Sequence, residues 1–177
     1  KELKNILNNY ELEDLSSDLT KFYSQNLDQE KKDRNIKFNN KILHQSKLLN
    51  YLSKGYSIER LSKDTNDLLK KVKANKKYVF SNKDKMLLDS IIFDGANIQK
   101  KFNNLYERDP NVPTDLQVLI NNDDIGMILL RLVEIIGEDN IEDLGTETQY
   151  FIITVLNQIN LDKIRNNILL EILPLRV

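Results

Sequence analysis

Through most of this chain apolar residues recur every third or fourth position, the spacing that gives an α-helix one buried face. The first such run, Leu3, Ile6, Leu7, Tyr10, Leu15, Leu19, Phe22 and Leu27, predicts one long amphipathic helix. A second helix is predicted over roughly 36–54, through Ile42, Leu43, Leu48, Leu49 and Leu52, and it stops at Gly55. Ser57 is placed to cap a third, carrying Ile58, Leu61, Leu68, Leu69 and Val72, since a serine hydroxyl can take up a free amide of the first turn. Residues 75–80 read as a loop. Ser81 with Asp84 three positions on has capping-box spacing, ahead of a helix predicted to hold Met86, Leu87, Ile91, Ile92, Ile98, Phe102 and Leu105.

The two prolines of Asp109-Pro110-Asn111-Val112-Pro113 break the helical pattern, because the residue before a proline is pushed out of the α region. Beyond them the predicted helices are shorter: about 114–120, 124–136 ending at Gly137, 150–159 behind a Thr146/Gln149 capping box, and 161–173 before Pro174. Ile128, Leu129, Leu132, Val133, Ile135 and Ile136 occupy more than one stripe, which predicts a helix buried on several sides. The expected fold is all-α: a helical bundle with a long N-terminal helix and a C-terminal set of stacked short helices. Composition supports it, since 5 Gly and 3 Pro are too few to turn a chain of 177 residues through repeated hairpins.

Charge divides the chain at the same place. Up to Asp109 there are 22 Lys and Arg against 16 Asp and Glu; from Pro110 onward there are 4 against 11. Within 31–108 the excess is steeper, 19 basic to 8 acidic. Two parts are therefore expected, a basic helical bundle over 1–109 and an acidic, apolar helical part over 110–177 packed on it. Segregated charge of this kind speaks to partners more than to fold.

Several kinds of chemistry find no support. The chain has no cysteine and one histidine, so disulfides, thiolate zinc sites and a thiol nucleophile are out. His44 lacks companion ligands or a base-orienting carboxylate in its neighbourhood of the sequence and reads as a surface or groove histidine. Asp123-Asp124 and Glu138-Asp139 read as acidic pairs near helix starts, favoured there by the helix dipole. Asn121–Asp124 lacks the alternating ligands and closing glutamate of a calcium loop. None of the phosphate-binding, metalloprotease or nucleophile-elbow motifs occurs. The expectation is a protein without catalysis, cofactor, metal or small-molecule substrate. The most apolar run, 125–136, is interrupted by Arg131 and falls short of the ~20 residues that span a bilayer, so no membrane segment is expected. Lys1-Glu2-Leu3-Lys4 begins within a helical pattern and without Met, as a piece of a longer protein would.

Two features point to binding. Lys70, Lys71, Lys73, Lys76 and Lys77 form the densest charge run; they could neutralise nucleic-acid phosphates, or simply complement a helix C-terminus. Tyr78, Val79 and Phe80 follow directly, and three adjacent large side chains of a loop cannot all point inward, so at least one is expected at a surface groove.

Residues from about Leu48 to Tyr106 resemble the N-terminal domain of transcription elongation factor TFIIS, and within that family the integrase-binding domain of lens-epithelium-derived growth factor. The similar segments are Leu49-Asn50-Tyr51-Leu52, Tyr56-Ser57-Ile58-Glu59-Arg60-Leu61, the run from Asp64-Thr65 to Val72-Lys73, and Lys100-Lys101-Phe102-Asn103-Asn104-Leu105-Tyr106. They cover about a third of the chain. The stretch between Val72 and Phe102 is longer than in the family, and Phe102 stands where the TFIIS version carries tryptophan. The resemblance implies a nuclear scaffold of chromatin and transcription-elongation assemblies, whose inter-helix loops grip short acidic motifs around a phenylalanine. Carried over, the gripping loops fall at Ile36, Lys37 and Phe38 and at Tyr78, Val79 and Phe80. The partners expected are other proteins of a multi-subunit complex, with nucleic acid at the lysine run as a second class. A rival expectation is an obligate structural subunit, for which Lys83–Leu105 is loosely similar to kleisin subunits of chromosome-maintenance complexes.

Overall fold

The computed structural model describes residues 36–105 and 112–176, so the long helix expected over residues 3–27 lies outside the described residues. Among them are seven α-helices: α1 (Leu49–Lys54), α2 (Ile58–Ala74), α3 (Asn82–Phe93), α4 (Thr114–Asn121), α5 (Ile125–Ile136), α6 (Thr146–Gln158) and α7 (Asp162–Ile172). Two 3₁₀ turns, Leu43–Gln45 and Lys100–Leu105, and one two-residue pairing of β1 (Ile36–Lys37) with β2 (Leu175–Arg176) complete the regular structure. The protein is all-helical.

Local chemistry sets the ends of these helices. The Ser57 hydroxyl accepts the Arg60 amide at the start of α2, and Ser81 and Asp84 exchange both bonds of a capping box at the start of α3. Asp124 accepts the Met127 amide to open α5. Gly137 ends that helix at φ 63, a left-handed conformation that costs a residue without a Cβ little. Removing such an N-cap typically costs about 1 kcal/mol.

Four expectations fail here, each for a local reason. The helix predicted over 36–54 is confined to α1, because polar side chains upstream capture the backbone. Asn39 accepts the Lys41 amide, Asn40 accepts the Lys47 amide, and buried Ser46 donates to the Leu43 carbonyl. Those bonds compete with helical ones. The α3 helix ends at Phe93 rather than running to Leu105, since Gly95 at φ 94 turns the chain; Phe102 and Leu105 reach the core from a 3₁₀ turn instead. At α6 the cap is Gly145, not Thr146, and the Gln149 amide turns inward to donate to the Ile141 carbonyl. Glu138 and Asp139 follow the end of α5, the unfavourable pole of the helix for a carboxylate, rather than preceding a helix.

Residues Ile36–Leu175 form one compact unit, held by two clusters of buried side chains. The larger gathers Leu43, Leu49, Leu61, Leu69, Met86, Leu87, Leu88, Ile91 and Phe102 from before the proline break, with Ile153, Leu169, Ile172 and Leu173 from after it. The smaller consists of Leu116, Ile128, Leu132, Ile152, Val155, Leu156 and Ile159. Helix α6 serves both, Ile153 facing one cluster and Ile152, Val155 and Leu156 the other. A helix packed on two sides cannot keep a single apolar stripe. Helix α3 is buried almost all round and lies against α6, where the Tyr150 hydroxyl donates to buried Asp89 at 2.8 Å.

A buried ion pair crosses the charge boundary. Arg165 on α7, 1% exposed, donates through one terminal nitrogen to both carboxylate oxygens of Asp94, at 2.8 and 2.9 Å, and through the other to Asn157 at 3.0 Å. The Tyr51 hydroxyl donates to the same carboxylate. Burial pushes the Asp94 carboxyl above its ordinary value although Arg165 and Tyr51 pull the other way, and burial with the Asp94 charge lifts the Tyr51 hydroxyl to about 12.

Candidate functional site: a cationic groove and the loop behind it

The turn between α1 and α2 builds a concavity. Gly55, at φ 62, reverses the chain after Lys54, and Tyr56 and Ser57 carry it into α2. Tyr56 packs edge-on to Tyr51, ring centroids 5.4 Å apart, and the Arg60 guanidinium lies 4.9 Å over its ring. Burial raises the Tyr56 hydroxyl, the Asp64 charge adds to this and Arg60 opposes it. An open groove of about 570 Å³ runs from here along α2 to the segment before α1. The half-buried Tyr56 ring supplies its apolar surface over a floor of buried Leu48 and Leu68; Lys47, Lys54, Arg60 and Lys71 line it as cations, with Asp64 and Asp67 as the opposing carboxylates. Among the described residues Arg60 and Asp64 are the pair these charges make, at 3.8 Å, and both are solvent-exposed, where an ion pair contributes little. The groove can therefore receive an extended or helical segment carrying carboxylates over an apolar contact.

The loop behind the groove divides its three large side chains. The Tyr78 oxygen accepts the Leu43 amide at 2.9 Å and its O–H donates to Asp84 at 3.0 Å, and burial drives its ionisation well above the ordinary range. Phe80 is half-buried against the same core and meets the Tyr78 ring edge-on at 5.4 Å. Val79 points out, 85% exposed. Phe38 is half-buried against the core and Lys37 is exposed; of Ile36 the structure describes the backbone, in β1. Tyr78 thus ties its loop to the 3₁₀ turn at Leu43–Gln45 rather than to residues 36–38, while the concavity itself lies at α1–α2. Lys70, Lys71, Lys73, Lys76 and Lys77 are all exposed, and Lys73 also donates to the Lys101 carbonyl at 2.9 Å.

His44 departs from its expected isolation. Its Nδ1 lies 2.8 Å from Asp84 Oδ1, the carboxylate that also accepts from the Ser81 amide, the Ser81 hydroxyl and the His44 backbone amide. Burial works against the Asp84 charge, but the His44 and Ser81 hydrogen bonds outweigh it and hold this carboxyl below its usual value. Ser, His and Asp in one cluster invite comparison with a catalytic triad. Here, though, the Ser81 hydroxyl approaches the same Nδ1 at 3.4 Å, whereas a relay needs hydroxyl and carboxylate on opposite ring nitrogens. The cluster ties a 3₁₀ turn to the cap of α3. Sequence reasoning missed it because the partners stand 40 residues apart.

No protein-family model, no curated protein and no solved structure matches this chain. Among the described residues no group of three or more potential metal ligands comes together, and no helix is long and apolar enough to cross a membrane.

Proposed function

We propose that this chain is a non-enzymatic helical adaptor that docks acidic segments of partner proteins in the groove between α1 and α2. The observation that carries the reading is the convergence of Lys47, Lys54, Arg60 and Lys71 around the half-buried ring of Tyr56, over a floor of buried Leu48 and Leu68. Cations around an apolar contact favour a peptide that mixes carboxylates with a large side chain, the charges steering and the apolar group anchoring. The setting belongs to the same proposal: the TFIIS-like segments suggest a chromatin or transcription-elongation complex in the nucleus. Relative to the loops at 36–38 and 78–80, the docking position moves to α1–α2, because Tyr78 and Phe80 are engaged by the protein's own core.

A second reading, backbone binding of DNA or RNA, is favoured by the exposure of all five lysines from Lys70 to Lys77. One pair of variants separates the two. Lys47→Glu/Lys54→Glu should weaken binding of a labelled peptide with phenylalanine among Asp and Glu by about tenfold or more, and leave affinity for a short DNA duplex little changed. Unaltered peptide binding sinks the groove. DNA binding at low salt that disappears in Lys70→Glu/Lys76→Glu/Lys77→Glu, with no peptide binding by either form, establishes the second reading instead.

A further inference from the structure

Helix α5 is apolar at nine of its twelve positions, yet only Ile128 and Leu132 are buried. Met127, Leu130, Val133 and Ile135 are 44%, 59%, 62% and 41% exposed, and on the preceding helix Val118 is 51% exposed. This is the expectation of burial on several sides overturned: the α4–α5 hairpin turns one side to the smaller core, and among the described residues none covers the other. Met127, Leu130 and Val133 follow one another at intervals of three, so they form a slanting stripe along an outward face about 18 Å long. Exposed apolar side chains gathered on one element mark a contact surface, unlike the scattered ones that any protein carries.

The surroundings of the stripe are as one-sided as the stripe. From Val112 to Glu147 the chain carries nine Asp and Glu and a single Arg. All nine acids are exposed, and the lone Arg131 is already engaged by Glu134 at 2.8 Å. An apolar strip of about two helical turns set among exposed carboxylates in a stretch with nine acids and one arginine selects for a partner with the reverse pattern. We infer that the outward face of α5 docks an amphipathic helix of another polypeptide, one with an aliphatic stripe flanked by Lys and Arg. Two helices pack ridge into groove along such a stripe, and the flanking cations then meet Asp123, Asp124, Glu138 and Asp139 near the two ends of α5. This surface is separate from the cationic groove and has the opposite charge preference, so one module can hold two partners of unlike chemistry.

The test uses the whole chain and two labelled synthetic helices with one identical leucine stripe, one flanked by lysine and the other by glutamate. Fluorescence anisotropy at low salt should show the lysine helix binding at least about tenfold tighter, with the gap narrowing in roughly half-molar salt as screening shortens the reach of the charges. Leu130→Ser/Val133→Ser keeps every charge and should lose the lysine helix by about tenfold or more, while its thermal melt stays near that of the parent. Equal binding of both helices overturns the charge selection; lysine-helix binding that survives the double serine variant overturns the face. Sedimentation that shows the chain pairing with itself, with the pairing lost in the serine variant, assigns the face to a second copy and overturns the inference. Flotation of the chain with phosphatidylcholine vesicles, lost in the same variant, assigns it to lipid and does likewise.

Discussion

Helix α2 carries one apolar stripe and α5 is apolar nearly all round, and they meet opposite fates. In α2 the apolar positions Leu61, Leu68, Leu69 and Val72 are buried and the lysines face water, so its outward face is polar. In α5 almost every position is apolar, and the fold covers only a third of the circumference, leaving Leu130 and Val133 more than half exposed. Charge separates them again: cations surround α2 and carboxylates surround α5. The difference teaches how to read exposure. A lysine-rich outward face is the cheap solution for a helix that ends at solvent, whereas uncovered leucine and valine are retained at the expense of solubility and so mark a contact.

The contrast can be broken most severely where the two regions join. Arg165→Met leaves the Asp94 carboxyl buried without its partner and should cost about 3–5 kcal/mol in urea unfolding; adding Asp94→Leu should recover much of that, since an apolar pair in place of a buried ion pair is often neutral or better. Recovery failing in the double variant would mean that the pair stabilises in its own right. A smaller separation is expected within the two helices. Leu69→Ala, at a fully buried site of α2, should lose about 2–5 kcal/mol, while Leu130→Ala on α5 should stay within about 0.5 kcal/mol. Similar losses at both sites would mean that the α5 face is covered in solution.

The smallest effect concerns pH. Asp84 is held below its ordinary value in the folded chain, so near pH 4 the unfolded chain binds more protons there than the folded one. Stability from this group is therefore present above about pH 4 and lost as pH falls through the folded value. Asp84→Asn should lower the melting temperature at pH 7 and flatten its acid dependence. An acid limb as steep as the parent's would remove Asp84 as its source.

Much of the fold is legible in the sequence because it rests on local rules. Helix type for α2 to α7, and rough extent for all of these but α3, follow from apolar spacing, and the ends at Gly55, Ser57, Ser81 and Gly137 follow from capping chemistry within three or four residues. The errors arise where side-chain hydrogen bonds override apolar spacing, most of them local and one, at His44, reaching 40 residues away. Residues 39–48 leave the helix because Asn39, Asn40 and Ser46 find backbone groups to bond. Gln149 abandons its cap for the carbonyls of 141 and 142, and His44 finds Asp84. The candidate sites were half legible: charge and apolar richness were visible, but which apolar residues would be uncovered on α5 depends on how many helices arrive to cover it. The concavity at α1–α2 exists only once Gly55 has turned the chain, which apolar spacing does not show.

The shared use of α6 and α7 carries a consequence in time. Leu43, Leu49 and Leu61 share their cluster with Ile153, Leu169 and Leu173, which a ribosome adds more than a hundred residues after Leu43. At about 5–20 residues per second, the basic half waits on the order of ten seconds with an uncovered apolar side before its last helices exist. During synthesis that half is a client for chaperones, and a chain halted near the proline break should be cleared by proteases rather than persist as a smaller working version.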